Sequence, residues 1–293
     1  MRVGVVILPD LRWPVAVRRW REAESCGFST AWTYDHLSWR SLRDGPWLGT
    51  VPLLAAVAAS TTTLRFGTLV TSPNFRHPAL LAKDVMTLDE VSAGRLDLGV
   101  GSGGSGHDVH VLGLEPLTAA QRAARFGEFV AALDLLLREP ASSFTGEYFT
   151  AVDSRTLPGC TQQPRVPFTI AAVGPRALRV AARHGAGWVT VGAALPAPTA
   201  GQWFASVTRQ MGDLAAACEL EGREMGSLRR TAVVNLEAAW AQESVGAWDD
   251  FCGRVEAIGF TDVVVHWPRP EDPELPGPPV EVFDEICRRL PGS

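Results

Sequence analysis

The sequence predicts an α/β protein, a (β/α)8 TIM barrel with an insertion around residues 139–167. Short apolar segments alternate with amphipathic segments along the 293 residues, and eight such units are typical of this barrel. The alternative, a doubly wound sheet, does not normally need eight units. Neither a short internal repeat nor a shift in composition divides the chain, so we expect a single domain over residues 1–293.

The strands are predicted from short apolar runs that are bounded by turn residues. A strand that is buried on both faces, as in a parallel barrel, shows little alternation. The predicted strands are Arg2–Leu8, Thr30–Thr33, Leu64–Val70, Leu96–Val100, Phe168–Val173, Gly187–Val191, Arg230–Leu236 and Thr261–Val265.

The helices are predicted from apolar residues at helical spacing. Pro78 suits a first helical turn, and Gly27 and Gly94 suit the end of a helix. The prolines and glycines of Glu139–Pro167 instead predict an excursion with a short hairpin that covers one end of the barrel. The predicted helices are Pro14–Cys26, one within Pro46–Ser60, Pro78–Val91, one within Leu117–Arg138, Pro175–His184, Thr199–Leu220, Val245–Ile258 and Pro279–Leu290.

Composition argues against several classes of protein. The formal net charge is −5 and no basic run accompanies it, which argues against nucleic acid as a partner. No apolar run approaches the length of a membrane span and no secretion signal is evident, so we expect no membrane association. The 5 cysteines are scattered, which predicts reduced thiols and a cytoplasmic location.

Unusual side chains follow the predicted strands, where the sites of parallel α/β proteins form. Asp35 and His36 end the second strand. A histidine there suits proton transfer or hydrogen bonding to a ligand, although a lone histidine is often structural. The loops at residues 71–77 and 101–110 follow the third and fourth strands, so they are expected at the same face of the barrel.

Two glycine-containing loops are candidates for holding a phosphate. Residues 99–104 match G-x-G-x-x-G, but a polar loop up to Thr118 follows where a dinucleotide site would open a helix, so the match to a Rossmann site is weak. The backbone NH groups of this loop still suit a phosphate or a polar tail. Gly174-Pro175-Arg176 opens a helix, which offers an anion free NH groups and a guanidinium. An ordinary turn is the alternative at both loops.

Other residues suggest a metal or a planar ligand. His107, Asp108 and His110 could supply metal ligands, although their spacing matches no strong metal motif. Trp39 and Trp47 lie in the loop after the second strand, where either could stack on a planar ligand.

Three stretches resemble the luciferase-like monooxygenase family of flavin (FMN) and deazaflavin (coenzyme F420) oxidoreductases. They read GFSTAWTYDHL, LRFGTLVTSPNFRHPALLAKDVMTLDEVSAGRLDLGVGSG and AAVGPRALRVAARHGAGWVTVG, and they occupy residues 27–37, 64–103 and 171–192. The resemblance implies a (β/α)8 barrel that binds FMN or coenzyme F420 at the carboxyl ends of its strands. Members act as monooxygenases or as hydride-transferring dehydrogenases and reductases.

The resemblance also implies roles for individual residues. Asp35 and His36 match an acid–histidine pair beside the flavin ring, and Trp39 lies one residue from an active-site tryptophan of some members, so these three are the expected catalytic residues. Leu69–Val70 falls where deazaflavin members often have a non-prolyl cis peptide that supports the ring. The expected cofactor-binding residues are Leu69, Val70, Ser72, Gly103, Gly104, Gly174, Pro175 and Arg176.

Two departures from the family concern its deazaflavin sugar-phosphate dehydrogenases. Those members have a proton-donating glutamate at the position of Gly104, and they bind the substrate phosphate with lysines. The only lysine of this chain is Lys83, which lies in a predicted helix. Sugar-phosphate oxidation is therefore not expected.

The sequence thus predicts an oxidoreductase that uses coenzyme F420 or FMN, with F420 slightly favoured because residues 67–77 resemble those members most. It would transfer hydride to or from, or oxygenate, a small and hydrophobic organic molecule. Two alternatives stay open: a metal-dependent barrel hydrolase that uses His36, His107, His110 and His266, and a non-catalytic flavin-binding relative. The resemblance also allows a homodimer.

Overall fold

The computed structural model describes residues 1–104, 106–192, 199–234, 239–272 and 274–291. Its strands are β1 (Arg2–Val6), β2 (Ala31–Thr33), β3 (Phe66–Thr71), β4 (Leu96–Gly101), β5 (Ala141–Thr145), β6 (Thr150–Arg155), β7 (Phe168–Ala171), β8 (Gly187–Thr190), β9 (Arg229–Val233) and β10 (Asp262–His266). Eight of them close into a parallel barrel in the order β1-β2-β3-β4-β7-β8-β9-β10. The predicted (β/α)8 barrel is therefore confirmed.

The helices lie between the barrel strands. They are α1 (Trp13–Cys26), α2 (Thr50–Ser60), α3 (Pro78–Val91), α4 (His107–Val111), α5 (Ala119–Arg138), α6 (Pro175–His184), α7 (Ala200–Leu220), α8 (Val245–Ile258) and α9 (Val280–Arg288). Gly27 ends α1 with a φ of 81°, a left-handed conformation that glycine adopts without steric cost. Within the ranges described, no helix is long and apolar enough to cross a membrane.

Many predicted element boundaries differ from the structure by one or two residues, and two strands show the physical reason. β1 ends at Val6 and not at Leu8, because its pairing with both neighbouring strands ends there. β3 begins at Phe66 and not at Leu64, since its pairing with β2 and β4 starts at that residue. The predicted loop up to Thr118 contains the short helix α4, which is too short to show helical periodicity in the sequence. The predicted end of the seventh strand, Leu236, lies outside the described residues.

β3 and β4 approach each other so closely that glycine is required between them. A Cβ atom on Gly99 would lie 1.9 Å from the carbonyl oxygen of Thr68. A Cβ atom on Gly67 would lie 1.8 Å from the carbonyl oxygen of Asp97. Neither backbone can move away without breaking the ladder of the barrel. These glycines therefore set the shape of the barrel wall that leads to the loops at residues 71–77 and 101–110.

The two ends of the barrel interior differ in polarity. At the amino-terminal end, the buried carboxylate of Asp97 pairs with Arg229 at 2.7 Å and with Arg65 at 3.3 Å. A charge buried at this depth needs such partners. Towards the carboxyl ends the interior is apolar, with side chains contributed by Val6, Leu8, Trp32, Val189, Val233 and Val264. An ion network thus closes the base, and the opposite end is left with apolar walls.

The insertion contains the predicted hairpin, formed by β5 and β6. The hairpin packs against α5, where Glu128 accepts hydrogen bonds from the backbone NH groups of Tyr148 at 2.8 Å and Phe149 at 2.6 Å. The segment after the hairpin reaches the amino-terminal end of β4, because Gln162 donates to the carbonyl of Leu96 at 2.7 Å. The turn of the hairpin lies at the other end of the barrel, where the ring of Phe149 is 5.6 Å from the ring of His77 in the loop after β3.

Candidate active site

An open cavity of about 330 Å³ lies at the carboxyl ends of the barrel strands. This volume is within the range of small-molecule and cofactor sites. Six of the predicted site residues line the cavity: His36, Leu69, Val70, Ser72, Gly103 and Gly104. The rest of the lining is small or apolar apart from two hydroxyl groups, and it consists of Gly101, Ser102, Ala171, Ala172, Val173, Val189, Thr190, Val191 and Val233.

His36 is held by a carboxylate from a different loop. Its Nδ1 lies 2.7 Å from Oδ2 of Asp108, and Oδ1 of Asp108 accepts a hydrogen bond from the backbone NH of Leu37 at 2.8 Å. Asp108 is buried and lies in α4. An ionised carboxylate only accepts hydrogen bonds, so we assign the proton of the neutral imidazole to Nδ1. Nε2 has no hydrogen-bond partner among the described residues, and it is available to a molecule in the cavity.

Asp35 is turned away from the cavity. Its buried carboxylate accepts hydrogen bonds from Arg76 at 2.7 and 3.2 Å and from the hydroxyl of Thr71 at 2.8 Å. The bidentate Arg76 pair fixes the planar carboxylate in one orientation. The structure therefore joins His36 to Asp108, and it joins Asp35, which was expected beside His36 in a catalytic pair, to the loop after β3.

The neighbouring strand β3, which pairs with β2, contains the predicted cis peptide. The bond between Leu69 and Val70 is cis, and both side chains line the cavity. The register of β3 against β4 shifts at this point. A Cβ atom on Gly101 would lie 2.7 Å from Cγ2 of Val70, so the absence of a side chain on β4 makes room for the valine. This part of the wall is apolar and faces the barrel interior.

The glycine-rich loop is supported from below by Asn74. Its side chain donates to the carbonyl oxygen of Gly104 at 2.9 Å and accepts a hydrogen bond from Nη2 of Arg125 at 2.5 Å. Gly103 has a φ of 69°, and a Cβ atom there would lie 2.6 Å from the amide nitrogen of Asn74. Gly103 thus presents backbone to the cavity because no side chain fits beneath it, whereas a Cβ atom on Gly104 would meet nothing closer than 3.8 Å.

Gly174, Pro175 and Arg176 lie at the rim of the cavity and do not line it. They are exposed and form the start of α6, immediately after the lining residue Val173. No side chain caps the amino-terminal end of α6. Arg176 forms no hydrogen bond or ion pair with another described residue. A helix terminus with free NH groups and a nearby guanidinium suits an anionic group of a ligand.

Trp39 and Trp47 pack on each other and lie outside the cavity. Their ring centroids are 6.4 Å apart with an interplanar angle of 19°. Trp39 also contacts the edge of Tyr34 at 5.1 Å, and the indole NH of Trp47 donates to the backbone carbonyl of His36 at 2.8 Å. The two tryptophans therefore brace the loop that carries His36.

The structure does not assemble the histidines into a metal site. Asp108 is bonded to His36, and both ring nitrogens of His266 are bonded within the barrel. In the described ranges, no group of three or more His, Cys, Asp and Glu side chains is placed to hold a metal ion. The ligand set of the hydrolase alternative is thus not brought together.

His266 is the last residue of β10, and both of its ring nitrogens are hydrogen-bonded. Its Nδ1 donates to the carbonyl of Val234 at 3.1 Å, so Nε2 accepts from the hydroxyl of Tyr34 at 2.9 Å. Burial lowers the pKa of His266 to about 4, and the hydrogen bond to Val234 opposes that change only in part. The imidazole is therefore neutral at physiological pH and joins β10 to the start of the loop that carries His36.

This lowered pKa predicts a specific pH dependence of stability. Between pH 6.5 and about 4 the unfolded chain binds a proton at His266 that the folded protein excludes, so the free energy of unfolding falls as the pH falls. We expect this group to contribute a loss of about 2 kcal/mol between about pH 7.5 and about pH 5. Urea unfolding of the wild type and of His266→Gln at both pH values measures it. An identical pH dependence in the two proteins would contradict the prediction.

The fold and the cavity define a parallel barrel protein with an open cavity at the carboxyl ends of its strands. The sequence model of the luciferase-like monooxygenase family matches residues 1–273. The chain belongs to this family, as its sequence motifs predict.

Named relatives in the family include both deazaflavin and oxygenating enzymes. An F420-dependent glucose-6-phosphate dehydrogenase of Beutenbergia cavernae is 38% identical over 169 residues, 57% of this chain and 49% of that protein. An F420-dependent hydroxymycolic acid dehydrogenase of Mycobacterium tuberculosis is 32% identical over 203 residues, 64% of this chain and 52% of that protein. A 4-hydroxyprotoasukamycin monooxygenase of Streptomyces nodosus subsp. asukaensis is 29% identical over 183 residues, 59% and 47% respectively. The chain spans about half the length of these curated relatives.

Solved structures share the fold over the whole chain. An F420-dependent secondary alcohol dehydrogenase in complex with an F420–acetone adduct superposes with a TM-score of 0.81 at 16% identity, covering 99% of this chain and 98% of that one. A coenzyme F420-dependent tetrahydromethanopterin reductase from Methanopyrus kandleri gives 0.74 at 18% identity, with the same two coverages of 99% and 98%. At these identities the likeness concerns the barrel architecture.

Proposed function

We propose that this chain is an oxidoreductase that binds coenzyme F420, or in second place FMN, in the His36 cavity and acts on a small hydrophobic molecule. The observation that carries the proposal is the arrangement around the cavity. His36 lines the same cavity as the apolar, cis-linked Leu69 and Val70, and Asp108 holds its imidazole through Nδ1. The F420-dependent relatives favour the deazaflavin over FMN.

The residues present suit a cofactor with a flat ring and a phosphate. Leu69 and Val70 offer an apolar surface to a ring. The backbone at Gly103 and Gly104 and the start of α6 beside Arg176 offer NH groups and a positive charge to a phosphate. When bound, coenzyme F420 supplies hydride transfer, and FMN supplies hydride transfer or oxygen chemistry.

The side chains of the chain itself supply orientation, exclusion of water and a proton site. In this proposal Nε2 of His36 donates or accepts a proton at the reacting atom or hydrogen-bonds the ring, and Asp108 stabilises the imidazolium that forms. Asp35 acts as a positioning residue through Arg76, and Trp39 acts through the packing of the His36 loop. The apolar side chains of the barrel interior reduce access of water to the reaction.

The lining also supports the choice of substrate. Gly104 adds no carboxylate to the cavity, and Lys83 is exposed on α3, outside the lining residues. The cavity therefore lacks the glutamate and the lysines expected of a sugar-phosphate dehydrogenase of this family, although several relatives are named for that activity. An enone, an imine or a secondary alcohol with an apolar body fits these walls better.

A homodimer and a cytoplasmic location remain predictions. The cytoplasmic location agrees with the five free cysteines.

A cavity-blocking variant tests the proposed cofactor site. Val173 lines the cavity but is 50% exposed, so a tryptophan there can cover the opening without displacing the core. We expect Val173→Trp to weaken binding of oxidised coenzyme F420 at least about tenfold, measured by the fluorescence of the coenzyme, with FMN titrated in parallel. The matched control is Val152→Trp on β6, at a position that is 79% exposed and outside the cavity.

Three outcomes separate the hypotheses. Tight binding of F420 by the wild type and by Val152→Trp, with loss in Val173→Trp, supports the proposal. Tight binding of reduced FMN without binding of F420 would indicate oxygen insertion as the reaction, in place of hydride transfer. If the wild type binds neither cofactor, or if Val173→Trp binds as tightly as the wild type, the proposed site is wrong.

A further inference from the structure

A second cavity, of about 340 Å³, shares Gly104 with the His36 cavity and has no role in the function proposed above. It is bounded by the residues after α4, by the first turns of α5 and by the turn between β5 and β6. We call it the α5 cavity. Asn74 belongs to its lining and hydrogen-bonds to Gly104 at 2.9 Å.

Two guanidinium groups line the α5 cavity without a carboxylate partner. Arg122 donates to the backbone carbonyl of Leu117 at 2.7 Å, and Arg125 donates to Asn74 at 2.5 Å. Neither arginine forms an ion pair with a carboxylate in the part of the chain that the structure describes. Glu115 also contributes to the lining, but it is bonded to neither arginine. The cavity therefore has an excess of positive charge.

The Nε–H group of Arg125 lacks a hydrogen-bond acceptor among the described residues. It is buried, although buried donors are nearly always paired. Burial lowers the pKa of Arg125, and the neighbouring charge of Arg122 lowers it further, while Tyr148 opposes both effects. An anion between the two guanidinium groups would accept hydrogen bonds and relieve their repulsion.

The remaining walls of the α5 cavity are apolar. Val109, Leu114, Leu117 and Phe149 contribute side chains, and Tyr148 contributes an aromatic ring. Leu114 is 49% exposed even though it lies at the cavity, so an apolar group bound there would remove its surface from water. A bare inorganic anion would leave these walls uncovered.

We propose that the α5 cavity binds a small organic anion, a carboxylate on an apolar body. Its carboxylate lies between Arg122 and Arg125, and its apolar body lies against Leu114 and Tyr148. Binding of this anion does not require the cofactor proposed for the His36 cavity, although both cavities share Gly104. The hydrogen bonds from Arg125 to Asn74 and from Asn74 to Gly104 connect it to the glycine-rich loop.

Calorimetric titration of the full chain with octanoate tests this proposal. We expect octanoate to bind, and octan-1-ol and inorganic phosphate to bind at least about tenfold more weakly, because each lacks one half of the recognised chemistry. Arg122→Gln should weaken octanoate binding at least about tenfold. Arg18→Gln, which removes the same charge from an exposed position on α1 outside the cavity, should bind octanoate like the wild type.

A second variant, Leu114→Ser, checks that a loss of binding in Arg122→Gln does not come from misfolding. Leu114→Ser changes a half-exposed side chain that the core does not need, and it should also weaken octanoate binding. No heat of binding with the wild type, equal affinity in Arg122→Gln, or phosphate binding as tight as octanoate binding would each overturn the proposal. Failure of the protein to bind F420 or FMN would not affect it, because every titration is done without cofactor.

Discussion

Asp108→Asn should lower the turnover number about 100-fold or more while it leaves cofactor binding nearly unchanged. The asparagine amide would donate a hydrogen bond to Nδ1 of His36. Because Nδ1 then accepts, the proton of the neutral imidazole would move to Nε2. The imidazolium would also lose the negative charge of its neighbour. The substitution preserves shape and the bond from the backbone NH of Leu37. Steady-state kinetics, with the member of an enone, imine and alcohol panel that the wild type turns over, would measure the effect.

A double-mutant comparison distinguishes this role from a loss of folding. If Asp108 acts only through His36, the variant with both Asp108→Asn and His36→Ala should be no slower than His36→Ala alone. Asp213→Asn, an exposed change on α7, serves as the control and should retain full turnover. Additive losses in the double variant, or normal turnover in Asp108→Asn, would remove Asp108 from the mechanism.

Gly99→Ala should destabilise the protein by at least about 3 kcal/mol, because the new methyl group would lie far inside the contact distance of a backbone oxygen. The 1.9 Å separation from the Thr68 carbonyl can be relieved only by moving β3 away from β4. Both strands carry cavity residues at their carboxyl ends, so we also expect weaker cofactor binding in whatever fraction folds. Urea unfolding followed by circular dichroism gives the free energy.

The matched control for this substitution is Gly253→Ala in the middle of α8, where a Cβ atom would meet nothing within 4 Å. There the alanine should stabilise the protein by about 0.5–1 kcal/mol through its higher helix propensity. A Gly99→Ala protein within about 1 kcal/mol of the wild type would show that the barrel wall tolerates separation of these strands.

Much of the barrel could be predicted because local patterns are sufficient for it. Pro78–Val91 has a proline at its start and apolar residues at helical spacing, and the structure has α3 over the same residues. Local sequence patterns could not predict the helix α4, since its five residues make little more than one helical turn. The position of the β5–β6 hairpin also depends on a distant residue, Glu128, whose role no local pattern indicates.

The residues of the candidate site also fall into those that the local sequence predicts and those that it does not. His36 and the Leu69–Val70 pair come from strand-end positions and a family motif, and the structure brings them to one cavity. Asp108 and Asn74 act through contacts to residues 72 and 30 positions away, and the sequence offered Asp108 only as a metal ligand. Which carboxylate turns towards His36 depends on where α4 packs, and that is decided by the assembled barrel.

The ion network at the base has a consequence for how the chain can be divided. Asp97 and Arg229 are separated by 132 positions in sequence, so the charge buried in the first half of the barrel is neutralised partly by the second. A fragment that ends after α5 would retain Arg65 but lack Arg229. Part of the Asp97 carboxylate would then be left exposed or without a charged partner. The two half-barrels are therefore not interchangeable modules, and circular permutation should be tolerated better than splitting, because it keeps both partners in one chain.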